Sequence, residues 1–252
     1  MCRNQCFSKP IFLITVLLLL CIPTSLFALT AEEIIGKMDY NTQYKTSYSI
    51  GSIQTKDRFG LKTSTFKAWS QGNAESLIEF TSTAEQGQKI LKTNDSLYLF
   101  YPDAEQLIRM QGSALRQSLL GSDVSYEDMT EEKDTLSRYT ATLNGNEIYK
   151  GRPCYVITLK AKTRSVAYPI QKIWVDSETF LTWKGEYSTK EGRLLKEMET
   201  LETMQVGEKV VASESRISDK MKKDSETIMK IESLEVDIPL DKNLFSLENL
   251  TW

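Results

Sequence analysis

The stretch KTSYSIGSIQTKDRFGLKTSTFKAWS, residues 45–70, decides how the rest of the chain is read. Two runs rich in Thr, Ser, Tyr, Ile and Phe flank Asp57-Arg-Phe-Gly60, residues suited to a tight turn. The spacing predicts a hairpin with strands over Lys45–Asp57 and Leu61–Ser70. The same pattern continues downstream, with short β-rich runs broken by Gln71-Gly-Asn73, Asn94-Asp95, Pro102-Asp103 and Asn144-Gly-Asn146. Strands are expected at Ser76–Thr81, Gln88–Thr93, Leu97–Tyr101, Glu105–Met110, Ser137–Leu143 and Glu147–Lys160, the last broken at Gly151-Arg-Pro153. Further strands follow at Ile170–Asp176, Thr179–Ser188, Arg193–Val206, Lys209–Asp219 and Thr227–Val236. That makes about ten to twelve strands joined by tight turns. No alternation of strands with long helices occurs, which argues against a parallel α/β enzyme fold. A mainly β (α+β) architecture is expected: one large antiparallel sheet curled into an unclosed barrel.

Two segments break the pattern. Thr30-Ala-Glu-Glu33 reads as a capping box, and Ile34, Ile35 and Met38 give the following helix an apolar stripe that ends near Tyr40-Asn41. Gly112–Gly121 places Leu115, Leu119 and Leu120 at helical spacing, and Ser122–Asp128 offers caps for a second short helix. These residues predict a helical insertion that covers one side of the sheet.

The first 28 residues read as an export signal. Arg3 and Lys9 precede the uncharged run Ile11–Ile22, too short for a comfortable membrane span, and small residues up to Ala28 follow Pro23. The domain proper is then 29–252, with an uncleaved N-terminal anchor as the alternative. Cys21 raises lipidation, but Leu20 in front of it makes a poor lipobox. Loss of 1–28 removes two of the 31 basic residues and none of the 34 acidic ones, so the remainder carries 29 against 34, or −5.

Cys2, Cys6 and Cys21 lie in the signal, which leaves Cys154 as a lone, apolar-flanked thiol with no disulfide to make. The chain has no histidine. Ser-His-Asp and Cys-His nucleophilic sites and His-ligated metals are therefore excluded. The weak negative charge argues against nucleic acid, which needs a basic face. Carboxylate neighbours at Glu32/Glu33, Glu127/Asp128 and Glu131/Glu132 read as helix caps and solvated faces rather than an acid–base pair. Lys220-Met-Lys-Lys223 reads as a solvated turn, or as a contact for an anionic lipid headgroup.

Several strands are apolar on both faces. Leu97, Leu99 and Tyr101 oppose Tyr98 and Phe100, and Trp174 opposes Ile173 and Val175. Such strands bury both sides, one against a helix and the other against a cavity or second layer. An ordinary packed core explains the same pattern.

Taken in order, the signal, the Leu29-Thr-Ala-Glu-Glu-Ile-Ile35 helix and the meander carry a resemblance. So do Gly87-Gln-Lys-Ile-Leu91, Leu97–Pro102, Met110 through Gln117-Ser-Leu-Leu-Gly-Ser-Asp-Val-Ser-Tyr-Glu-Asp128, Gly151–Val156, Lys172–Asp176 and Phe245–Leu250. The chain resembles the LolA/LolB-like family of outer-membrane lipoprotein-sorting proteins, in its stand-alone branch. The resemblance implies an unclosed barrel whose apolar inner face is roofed by helices. It also implies a non-enzymatic periplasmic carrier of lipoprotein acyl chains or other lipid, without cofactor or metal. Implied partners are lipidated proteins or free lipid, an inner-membrane transporter and an outer-membrane acceptor; a monomer is expected. The pocket and lid residues expected on this reading are Trp69, Phe80, Leu91, Tyr98, Phe100, Met110, Leu115, Leu119, Trp174 and Trp183. The family's functional arginine has three candidates, Arg58, Arg109 and Arg116. An exported structural, adhesive or sensor module with a packed barrel core is the alternative.

Overall fold

The computed structural model describes residues 29–94, 96–130, 134–164 and 166–251. The expected signal segment 1–28 lies outside them. Helix α1 (Ala31–Thr42) starts at the capping box the sequence predicts: Thr30 Oγ1 accepts from the Glu33 amide at 3.2 Å, and Glu33 Oε2 accepts from the Thr30 amide at 2.8 Å. Ala31, Ile34 and Ile35 form its buried face.

Thirteen strands follow, one more than the upper expectation. The first six are β1 (Thr46–Asp57), β2 (Gly60–Gln71), β3 (Glu75–Phe80), β4 (Lys89–Lys92), β5 (Leu97–Tyr101) and β6 (Gln106–Met110). The remainder are β7 (Tyr139–Tyr149), β8 (Arg152–Ala161), β9 (Ile170–Asp176), β10 (Thr182–Ser188), β11 (Leu194–Val206), β12 (Lys209–Asp219) and β13 (Glu226–Val236). They form one sheet in the order β6-β5-β4-β3-β2-β1-β13-β12-β11-β10-β9-β8-β7, antiparallel throughout. Strands β1 and β13, from opposite ends of the chain, meet at its centre. Strands β6 and β7, neighbours in sequence, form its two edges. A twisted sheet this wide curls, and with its edges unpaired it stays an open barrel.

The segment between β6 and β7 therefore runs from one edge of the sheet to the other. It is less regular than its leucine spacing suggests. Gly112–Arg116 and Leu119–Gly121 are 3-10 turns separated by extended residues, and Leu120 adopts a left-handed φ of 50°. Two short helices follow, α2 (Tyr126–Thr130) and α3 (Thr135–Arg138). Helix α3 takes Ser137 and Arg138 out of the strand expected there, because Asp134 caps the Ser137 amide at 3.2 Å. Asn144-Gly-Asn146 is not a turn either. Strand β7 runs through it with a register shift between Leu143 and Gly145, and the hairpin turns at Lys150-Gly151 instead. The last helix, α4 (Leu247–Thr251), had no counterpart in the sequence reading.

The strand register assigns every side chain to a face. One lateral row reads Thr55, Thr227, Ile217, Met198, Gly185, Ile173, Ile157, Leu143, each opposite the next on the neighbouring strand. This inner face carries the helices. Helix α1 packs Ile34 and Ile35 against Tyr139, Ile157, Leu159 and Ile173. The insertion packs Leu119, Val124 and Tyr126 against Phe66, Phe80, Ile90 and Leu99. The outer face is covered in part by the C-terminal tail, whose Phe245 and Leu250 pack on Leu77 and Leu91.

Candidate functional site

The ten residues singled out from the sequence divide between the two faces. Phe80, Met110, Leu115 and Leu119 belong to the inner-face cluster under the insertion. Trp69, Leu91, Tyr98 and Phe100 lie on the outer face, in a cluster closed by the tail. Trp174 and Trp183 also lie on the outer face, with Cys154 and Val156. The pairing of alternate residues holds, since Leu97 and Leu99 share one face and Tyr98 and Phe100 the other; a shift of one residue inverts the assignment. The large aromatics are drawn outward because that face is not bare. Arg152 stacks over Trp183 at 4.2 Å, Lys172 and Lys184 flank Trp174 at 4.6 and 4.5 Å, and Trp183 Nε1 donates to Asp176 Oδ2 at 3.0 Å.

Between the two roofs, the inner face of the central strands is only half covered. Met198, Ile217, Met229 and Ile231 present half-buried apolar side chains there, with Met38 of α1 on one side and Met129 of α2 on the other. A cavity of about 240 Å³ opens at the Met198 end of this strip, under α1 and α3, lined by Met38, Tyr139, Leu159, Ile173, Tyr187 and Met198 among others, while Ile217, Met229 and Ile231 pack toward the insertion. Its methionines suit an irregular or variable occupant, because the thioether chain is unbranched and polarisable. A larger hollow of about 330 Å³, bordered by Met110 and Leu115, is otherwise walled mostly by turn residues such as Asn73, Thr93 and Ser96. The central residues are hard to find from sequence because β11, β12 and β13 alternate apolar and polar residues irregularly, with Ile228 and Leu234 on the other parity from Met229 and Ile231.

The Gly121-Ser-Asp-Val-Ser-Tyr-Glu-Asp128 string, the most specific of the resembling segments, fixes the insertion to the sheet. Asp123 is buried; its Oδ2 accepts from Thr227 Oγ1 at 2.8 Å and Ser225 Oγ at 3.0 Å, and its amide donates back to Thr227 Oγ1 at 2.9 Å. Asp123 Oδ1 makes no hydrogen bond among the described residues, and the Lys222 ammonium at 3.9 Å supplies its counter-charge. Lys222 Nζ also donates to the carbonyls of Gly121, at 3.0 Å, and Ser122. Asp128 closes a capping box with Ser125, accepts from Tyr168 Oη at 2.7 Å and pairs with Lys196 of β11. Burial, then the Asp128 charge, holds the Tyr168 hydroxyl far above its ordinary range, so it stays a donor at any physiological pH. Asp128 is thus both the helix cap the sequence suggests and a docking group.

Helix α1 is held by polar contacts at its C-terminal end, where Asn41 Nδ2 donates to the Thr179 carbonyl at 2.6 Å and Thr182 Oγ1 to Met38 Sδ at 3.2 Å. Asp39 accepts from the Thr135 amide and hydroxyl at 2.9 and 2.7 Å, and Lys209 Nζ donates to the Tyr40 and Gln43 carbonyls at 2.7 and 2.8 Å. Burial raises the Asp39 carboxyl above its ordinary value, against the opposing Thr135 bonds. Of the other carboxylate neighbours, Glu33 serves its capping box, and Glu131/Glu132 lie outside the described residues. The three candidate arginines are dispersed: Arg58 is exposed in the β1–β2 turn, Arg109 Nε donates to Ser96 Oγ at 3.0 Å, and Arg116 lies 3.6 Å from Glu127. Cys154 is buried, and burial pushes its thiol up, the opposite of what a reactive thiolate needs.

The single antiparallel sheet, curled but unclosed, with helices on its inner face, is shared with several solved structures of low sequence identity. The chain superposes on a LolA superfamily protein from Nitrosomonas europaea with a TM-score of 0.74 at 24% identity, covering 88% of this chain and 100% of that one. A putative outer membrane lipoprotein-sorting protein domain from Vibrio parahaemolyticus gives 0.78 at 18% identity, covering 88% and 98%. A DUF1329 family protein from Desulfovibrio piger gives 0.81 at 24% identity, covering 87% and 97%. A family model described as an uncharacterized protein matches residues 72–252, and the chain belongs to that family. No curated protein matches it.

Proposed function

We propose that the protein is an exported, periplasmic, non-enzymatic carrier that holds acyl chains between the inner face of the sheet and its helices. Lipidated proteins or free lipid are the cargo, taken from an inner-membrane donor and passed to an outer-membrane acceptor. The observation that carries this reading is the half-buried apolar strip of Met198, Ile217, Met229 and Ile231, which leads from the insertion to the 240 Å³ cavity at Met198. The fold shared with a lipoprotein-sorting domain supports it. Each methylene moved from water into such a site contributes about 0.8 kcal/mol, so one acyl chain suffices for tight binding. The cavity is smaller than the roughly 300–1,000 Å³ of ordinary ligand pockets. Loading therefore requires α1 or the insertion to move outward, and α1, which roofs the cavity and is tied mainly at its C-terminal end, is the natural gate.

Native mass spectrometry of residues 29–252 produced in and purified from the organism itself, followed by organic extraction, tests the proposal. A stoichiometric acylated species is expected in the wild type and lost in Met229→Asp, with unchanged far-UV circular dichroism. An apo mass that also refuses added diacyl lipid and acylated peptide would overturn it and leave a structural module with a filled core.

A further inference from the structure

In a meander, alternate turns fall at opposite ends of the sheet, so charge can be tallied by end. The four successive hairpins β2/β1, β13/β12, β11/β10 and β9/β8 all turn at the same end. Their connections carry Arg58 in the first, Lys220, Lys222 and Lys223 in the second, Lys190 and Arg193 in the third, and Lys162 and Arg164 in the fourth, of which Lys222 is engaged by Asp123 and Lys220 by Glu197. Within these four connections the acidic residues are Glu191 and Asp224; the β3–β4 and β5–β6 turns, at the same end but farther along the sheet, add Glu85, Asp103 and Glu105. The opposite ends of the same region, residues 150–151, 177–181 and 207–208, carry Lys150 against Glu178 and Glu208. A chain with an acidic excess thus gathers cations in four adjacent turns at one end of the sheet.

The same end exposes apolar side chains where none is required. Phe59 is 81% exposed, Leu61 64% and Met221 59%, each next to a lysine or arginine in sequence. Arg58, Arg164, Lys190, Arg193 and Lys223 are all exposed. Single exposed hydrophobics are unremarkable, but the β1–β2 and β12–β13 tips are adjacent, since Lys56 pairs with Glu226 in the register.

We propose that this end of the sheet docks on a bilayer surface carrying anionic lipid, with Phe59, Leu61 and Met221 entering the headgroup boundary and the basic turns lying over the phosphates. A row of cations around protruding aromatic and aliphatic tips is the chemistry of interfacial membrane binding. A purely polyanionic partner such as nucleic acid would leave the apolar tips in water. The proposal does not depend on what the inner face holds.

Co-sedimentation of residues 29–252, which contain the whole sheet, with vesicles tests it. Vesicles of 40% phosphatidylglycerol in phosphatidylcholine are compared with pure phosphatidylcholine. Binding to the anionic vesicles is expected, weakening with added salt. Each basic group near such a surface is worth roughly fivefold in partition, so Lys190→Glu with Arg193→Glu is expected to lower it at least thirtyfold. Phe59→Ser with Leu61→Ser is expected to lower it independently, at constant charge. Equal partition to both vesicle types, no binding to either, or binding unchanged by the Phe59/Leu61 variant would each overturn the proposal. All four residues are exposed, so the variants are expected to fold, and circular dichroism checks that they do.

Discussion

Thr227 shows how much one hydroxyl can hold. It is fully buried, donates to the Asp123 carboxylate and accepts from the Asp123 amide. Thr227→Val keeps the shape but leaves the buried Asp123 amide without its acceptor and Oδ2 with Ser225 as its one remaining donor, which costs about 2–3 kcal/mol. A fall in the urea midpoint at unchanged slope checks this; an unchanged midpoint would mean water replaces the hydroxyl. Gly51 makes a steric counterpart. A Cβ there would overlap the Lys230 carbonyl oxygen and come within 2.8 Å of Phe66 Cζ, at the bulge where β1 crosses β13. Gly51→Ala is expected to cost about 2 kcal/mol or more by the same measurement. Neither role is legible in the sequence, because both depend on a strand far away in the chain.

The sheet was legible at the level of the element, and the insertion was not. Strands β9 and β12 match the sequence expectation end to end, since period-two patterning and turn residues are local signals. The insertion lacks such a period. Its form is set by tertiary contacts, with Asp123 and Asp128 tied to β13 and β11. Cutting one tie should loosen the insertion without melting the sheet. Lys196→Met leaves the half-buried Asp128 without its cation, a loss of about 2–4 kcal/mol local to the docked segment. Hydrogen exchange is expected to rise across residues 119–130 and to stay constant in β1, β2 and β8. A uniform rise would show that the insertion and sheet unfold as one unit. The outer face was misjudged for a related reason: the aromatics of β5 point at a tail some 140 residues downstream, and parity alone does not say which side the helices take.

Acid is expected to destabilise the whole molecule. Burial acts to raise Glu85, Asp176 and Glu199, but hydrogen bonds outweigh it and leave all three below the ordinary carboxylate range. Lys62 and Ser82 hold Glu85, the Thr179 and Glu178 amides with Trp183 hold Asp176, and Lys150 and Tyr149 hold Glu199. A lowered folded pKa gives stability that is complete above the unfolded value and lost as pH falls through the folded one. Asp39 is raised and has the opposite sign, losing its contribution as pH rises past its ordinary value. Three groups outweigh one. Thermal midpoints are therefore expected to be flat above about pH 5 and to fall steadily below about pH 4. A midpoint that rose on acidification would contradict this balance.

The central pairing of β1 with β13 has a consequence for how the chain reaches this state. Strands β1–β6 and β7–β13 are each a run of neighbouring hairpins, able to form early from local contacts. Their union closes the longest loop in the molecule and waits for the last strand. Until then each half-sheet presents a long unpaired strand, β1 on one and β13 on the other, open to pairing with another chain. The kink between Ile50 and Gly51, opposite the extra residue Glu232, interrupts that ladder. A bulged strand makes a poor template for a flat copy of itself, so the irregularity at the centre of the finished sheet also guards the nascent chain against aggregation.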